Sequence, residues 1–194
     1  MALIPYVDPQ SAPREVRELL DFLPDLHVFR MVGQAPTLLG PWLAFGAAIL
    51  ATLELDPLLR ELAILQVAST VGCAYERLQH EAIAAGVGAT SEQVKLLATA
   101  HESRDQDAVN RAFTPGQRAV ISFTDQVAGP GRASQGEVLA LREHLSDRCI
   151  VELLLVVGHY LGIARLAETV RLDLDEPAQM AVVDLASGTV NNGR

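Results

Sequence analysis

Apolar residues recur along this chain at every third or fourth position, not every second, which is the period of helices laying one face on a core. Val16, Leu19, Leu20 and Leu23 make such a stripe in a first segment, Ala12 to Leu23, opened after Ser11 with Pro13 in its first turn and ended by Pro24. The same pattern predicts helices from Asp25 to Val32, closed by Gly33, and from Thr37 to Leu53 with Pro41 in the first turn. Asp56 is an N-cap with Pro57 behind it, starting a helix through Leu59, Leu62, Leu65 and Val67. Gly72 interrupts that stripe, and a new helix is expected from Cys73 to Ala85, stopped by the glycines at 86 and 88.

Further on, Thr90 or Ser91 caps Glu92 to Ala100, and Thr114 with Gln117 makes a capping box for a helix through Val127. Ser134 opens Gln135 to His144, and Ser146 with Asp147 opens a long apolar helix from Arg148 to Val170. The polar stretch 101–113 is expected as a loop. From residue 176 to 194 the composition turns to Ser, Gly and Asn, and a flexible tail is expected there. With no stripe of period two anywhere, the fold class is all-α.

Composition narrows the functional classes. A chain of 194 residues, 49% hydrophobic and 20% charged, buries roughly 70% of its unfolded surface and needs no metal or disulfide staple. One domain over residues 1–175 is expected, with a helical arm over about 1–35. The 24 acidic and 15 basic residues leave a net charge of −9, a field that repels phosphate backbones and anionic lipid, so neither nucleic acid nor a membrane is an expected partner. The longest apolar run, from Pro41 to Leu53 with Thr52 inside it, falls short of the roughly 20 residues that span a bilayer. The N-terminal ten residues carry no basic start or apolar stretch, and the expected location is the cytoplasm.

The chemistry-bearing stretch runs from Glu61 to Gly88. On a helix, Cys73, Glu76 and His80 stand at i, i+3 and i+7, bringing thiol, carboxylate and imidazole to one stripe. At a helix start behind Gly72, free N–H groups and the positive dipole end would lower the Cys73 pKa. The same residues also fit a plain description: a small buried hydrophobe, an i, i+4 surface pair and a solvated Glu61 beside Arg60. No Gly-rich phosphate loop follows a strand, and Cys73 with His80 lacks two further ligands for zinc, so neither cofactor nor metal is expected. His159, on the last apolar helix beside Tyr160, reads as a core histidine or as a pocket wall. Aligning Glu61 with Glu152 overlays two Glu-Leu-aliphatic segments, a faint internal repeat.

The spacing of Glu61, Cys73 and His80 resembles the carboxymuconolactone decarboxylase and AhpD-like superfamily, whose signature is a Glu followed twelve residues later by a Cys-x-x-Cys-x-x-x-His run. Here Glu76 stands where the alkylhydroperoxidase branch has its second cysteine, and the form Cys73-x-Tyr75-Glu76-x-x-x-His80 is similar to decarboxylase-like members. The resemblance implies a duplicated helical core assembled as a homotrimer or homohexamer, with sites near subunit interfaces. It implies cofactor-free lyase or decarboxylase chemistry on a small carboxylated lactone or organic acid. In that reading Glu61, Glu76 and His80 carry protons, Tyr75 donates to an oxyanion, His159 lines the pocket, and Arg77, Arg60 or Arg165 holds the carboxylate. Cys73 joins the site as a motif residue. The alternatives are a thiol peroxidase working through Cys73, with Cys149 a distant second thiol, and a family member without catalysis.

Overall fold

A computed structural model describes residues 1–99, 105–129, 131–178 and 180–192. Every regular element among them is helical: α1 (Arg14–Leu20), α2 (His27–Val32), α3 (Pro36–Ala51), α4 (Pro57–Val71), α5 (Ala74–Gly86), α6 (Ser91–Leu97), α7 (Gln106–Ala112), α8 (Pro115–Ala128), α9 (Gln135–Arg142), α10 (Asp147–Val170) and α11 (Ala181–Asn192). The caps explain most of the boundaries. Asp56 accepts from the N–H groups of Leu58 and Leu59 at the start of α4, and Thr90 and Thr114 each form a capping box, on Gln93 and Gln117. Ser134 and Ser146 cap α9 and α10 in the expected way.

Two stretches differ from the sequence expectation. Residues 106–112, expected as loop, form α7, which Asp105 caps through the Asp107 N–H; its stripe is only Val109, Ala112 and the following Phe113, too short to stand out as a period. The expected loop residues 101–104 lie outside the described residues. The expected tail from residue 176 contains α11, packed along α3. Ser, Gly and Asn discourage a helix by propensity, but Val182 and Ala186 gain burial against the body.

α4 is the axis of the molecule. Nine consecutive residues, Arg60 to Ala68, are buried, which requires neighbours all round, and α5, α6, α8 and α10 supply them. One core cluster joins Ile64 and Val67 of α4 to Val120 and Phe123 of α8 and Leu153, Val156 and Val157 of α10. A second, around Leu62, Leu65, Ala84 and Leu97, ties α4 to α5 and α6. The third holds α2 against the α4–α5 junction through Val28, Phe29, Cys73, Tyr75 and Ala164. By length and apolarity α10 could cross a membrane; here its inner side runs through the helical core, as the central helix of a globular bundle does.

Candidate active site

The α4–α5 junction sets the site. Gly72 ends α4 at φ 73°, a left-handed conformation that suits glycine, and turns the chain so that Cys73 caps α5. One turn into α5, Glu76 and His80 then face α4 and α10. On α4, Glu61 is wholly buried and uses both oxygens: Arg60 Nε donates to Oε1 at 2.9 Å, and His80 Nδ1 lies 2.7 Å from Oε2. Burial pushes the Glu61 pKa up, but His80 and then Arg60 outweigh it, and the net shift is downward. Glu61 is therefore a carboxylate, which can only accept, so the proton on His80 resides on Nδ1. That leaves Nε2 as the basic ring nitrogen. Tyr160 of α10 stands edge-on to the His80 ring, with centroids 4.8 Å apart.

Glu76 is the opposite kind of carboxyl. It is 2% exposed, neither oxygen has a hydrogen-bond partner, and burial followed by the nearby Glu61 charge holds its pKa well above the usual carboxylate range. Such a group is a neutral acid at pH 7.

Glu76 and His80 border a cavity of about 830 Å³ between α2, α3, α5, α10 and α11. Its walls are largely apolar: Phe29, Trp42, Leu43, Ile83, Ile163 and Leu185 contribute, together with Tyr75, Tyr160 and His159. Gly46 of α3 passes His159 closely enough that a Cβ there would lie 3.4 Å from Nε2. Burial, reinforced by His80, lowers the His159 pKa to about 4, so this ring is neutral at pH 7. Gln79 ties the chain before α11 to the site, accepting from the Ala178 N–H at 3.0 Å and donating to the Glu176 carbonyl.

The other sequence candidates fall elsewhere. Cys73 shares the stripe in sequence but not the cavity: it is 1% exposed, packs with Leu26, Val28, Phe29 and Ala167, and is not among the cavity-lining residues. Burial drives its pKa to about 12, overriding the N–H of Glu76, while the Glu76 and Glu168 charges add to the rise. The depressed thiol expected at a helix start is thus corrected, because desolvation exceeds what one helix end supplies. Cys149 belongs to a different core cluster, and both thiols are free.

The Tyr75 ring borders the cavity, but its hydroxyl donates to Asp175 at 2.5 Å and accepts from the Val28 N–H, so it is engaged away from any oxyanion. Arg77 lies at the surface, 3.7 Å from Glu81, and Arg165 is exposed. Arg60 is buried, donating to Glu61 and to the Leu50 carbonyl, and is not among the lining residues. Among the described residues no Lys or Arg borders the cavity, and the cation expected for a substrate carboxylate is absent there. Glu152, aligned with Glu61 in the faint repeat, accepts from the Leu55 N–H and Arg148, a structural role at the α3–α4 turn.

Tyr160, Trp42 and Gln79 escaped sequence reasoning. Trp42 and Tyr160 sit in apolar runs of α3 and α10 and Gln79 beside His80, and only the tertiary packing around the cavity gives them a place. Among the described residues no group of three His, Cys, Asp or Glu side chains could hold a metal.

Residues 36–117 match the model of the carboxymuconolactone decarboxylase family. No curated protein matches the chain. Among solved structures, an alkylhydroperoxidase AhpD core protein, an uncharacterized peroxidase-related protein from Ralstonia eutropha JMP134, superposes with a TM-score of 0.75 at 18% identity, covering 96% of each chain. A peroxidase-related protein from Silicibacter sp. TM1040 gives 0.74 at 16% identity, covering 90% of this chain and 92% of that one. The debrominase Bmp8 gives 0.68 at 18% identity, over 93% and 96%. The Glu61, Cys73 and His80 signature lies inside the segment that matches the carboxymuconolactone decarboxylase family model, and the chain shares the AhpD-like fold over nearly its whole length.

Proposed function

We propose that the protein is a cofactor-free acid–base enzyme of the lyase type, acting at the carbon beside a carbonyl in a small organic compound. The observation that carries this reading is the pairing of unlike groups at one wall: His80, bound through Nδ1 to Glu61 so that Nε2 is the ring nitrogen left to the site, and Glu76, whose pKa burial holds well above the usual carboxylate range. In the first step His80 Nε2 takes the proton from the carbon, and the C–H electron pair moves onto the carbonyl oxygen. The Glu76 O–H is the donor to that developing oxyanion. The enolate then collapses, either expelling a leaving group from the next carbon or taking the proton back from the His80 imidazolium at another position. Glu61 stabilises the imidazolium that forms between the two steps.

The thiol-peroxidase alternative has the placement of Cys73 against it: a thiol with a pKa near 12, off the cavity, with no second cysteine in its cluster. The acidic net charge and the packing of α10 through the bundle core support a cytoplasmic location.

The experiment is solvent-deuterium incorporation, with product analysis, on a panel of unsaturated γ-lactones with and without a carboxyl group. Turnover by the wild type is expected to fall on the order of a hundredfold or more in His80→Ala and to persist in Cys73→Ser. Thiol-dependent hydroperoxide reduction that disappears in Cys73→Ser would overturn the reading in favour of the peroxidase.

A further inference from the structure

The cavity and the ionisable groups around it also specify the charge of what enters. We propose that the site takes an uncharged, ring-containing organic compound with one hydrogen-bonding end, recognised by apolar contact and shape, with that end turned to Glu76 and His80. This rests on the cavity being the place where the proposed acid–base chemistry occurs.

At about 830 Å³ the cavity lies toward the upper part of the roughly 300–1,000 Å³ range of small-molecule sites. Hydrogen peroxide or a bare small acid would leave most of that apolar surface uncovered. Phe29, Trp42 and Tyr160 offer aromatic faces, and Leu43, Ile83 and Ile163 close the space between them, a surface suited to one or more rings.

Charge complementarity then decides between an anion, a cation and a neutral compound. A bound carboxylate would leave water with no counter-ion, since no Lys or Arg among the described residues borders the cavity. Arg60, buried nearby, is already matched to Glu61. Of the acidic groups at the cavity, exposed Asp184 on α11 opposes an anion. His159 does not compensate, because burial keeps its ring neutral at pH 7. A cationic ligand fares little better. Placed at the Glu76–His80 end, it would have to ionise Glu76, whose charge is disfavoured by burial and by the Glu61 carboxylate alongside.

A neutral ligand meets none of these penalties. Its hydroxyl can donate to His80, beside Glu76, whose two oxygens are buried without a partner of their own. This replaces the carboxylated lactone of the sequence reading with an uncharged substrate. The reaction is then proton transfer or elimination, not loss of CO₂.

Three probes of one shape separate the possibilities: 4-cyclohexylphenol, 4-cyclohexylbenzoate and 4-cyclohexylbenzylammonium, titrated calorimetrically into the full chain at pH 7. Trp42, the single tryptophan, lines the cavity and reports occupancy by its emission. The phenol is expected to bind at least tenfold more tightly than either charged probe and to shift the Trp42 emission. Ala47→Phe and Ile83→Phe, each filling the cavity from a different helix, are expected to weaken it at least tenfold with unchanged circular dichroism.

Equal or tighter binding of the benzoate or the ammonium overturns the inference, as does the absence of binding by all three. No turnover is read. Loss of His80-dependent activity as an explanation would therefore leave a phenol preference standing, and a benzoate preference would leave the acid–base reading standing.

Discussion

At the scale of single residues, the site consists of carboxyls with opposite fates a short distance apart. Glu61 is ionised because His80 and Arg60 occupy its oxygens; Glu76 is neutral because nothing does. A buried acid whose pKa is raised contributes its full stability below its unfolded value of 4.5 and loses it as pH rises toward the folded value. Glu76→Gln removes that loss. The variant is expected to be more stable than the wild type at pH 7, by about 1–3 kcal/mol in denaturant melts, with the difference closing near pH 4.5. A variant that is less stable at pH 7 would refute the neutral-acid assignment. Cys73 gives a second measurement: with a pKa near 12 against an ordinary 9.0, its thiolate at pH 8 is scarcer by roughly a thousandfold. Iodoacetamide labelling followed by mass spectrometry is expected to leave Cys73 intact in the native protein and to modify it in denaturant. The sequence made Glu76 and His80 legible through helical spacing, and Glu61 only through the superfamily resemblance. It could not make the direction of Cys73 legible, because an N-cap residue leaves the helical stripe and its side chain went to the α2 core instead of the cavity.

At the scale of elements, start signals were readable and weak stripes were not. Asp56, Thr90, Thr114, Ser134 and Ser146 all cap helices as their chemistry predicts, since a side-chain oxygen on the first free N–H groups is a local interaction. α7 and α11 escaped because what holds them is tertiary: α7 by contact with α6, and α11 by burial along α3 and the Gln79 tie to Ala178. The turn between α4 and α5 is local too, and it carries a prediction. Gly72 is held at φ 73° with open space about it, so Gly72→Ala introduces backbone strain without a clash. A loss of about 1 kcal/mol is expected in thermal or urea unfolding. Because that turn orients α5 over Glu61, the variant is also expected to lower catalytic turnover more than its stability loss would suggest. Unchanged stability would mean that the turn relaxes to another conformation at no cost.

At the scale of the molecule, the all-α class followed from one period repeated along the whole chain, and the AhpD-like fold agrees with it. What the pattern could not reveal is how the helices partition their apolar faces, and there the surface is informative. Along α10, Val151, Leu154 and Leu155 are 56%, 42% and 50% exposed, and Gly158 and Gly162 continue the same stripe with nothing within 4 Å of a Cβ built on them. The opposite side of that helix is core. A helix apolar on both sides is half-finished in one chain, and small residues let a second helix approach closely. The homotrimer or homohexamer expected from the superfamily resemblance would cover this stripe with copies of itself, which is the arrangement closed symmetry favours. Light scattering is expected to give a mass three or six times the 20.9 kDa of one chain. Leu155→Glu, placing a charge at the middle of an exposed stripe, is expected to reduce that mass to the single chain while leaving the helical content unchanged. A wild-type protein that runs as a monomer would leave the stripe without an occupant and would contradict the assembly.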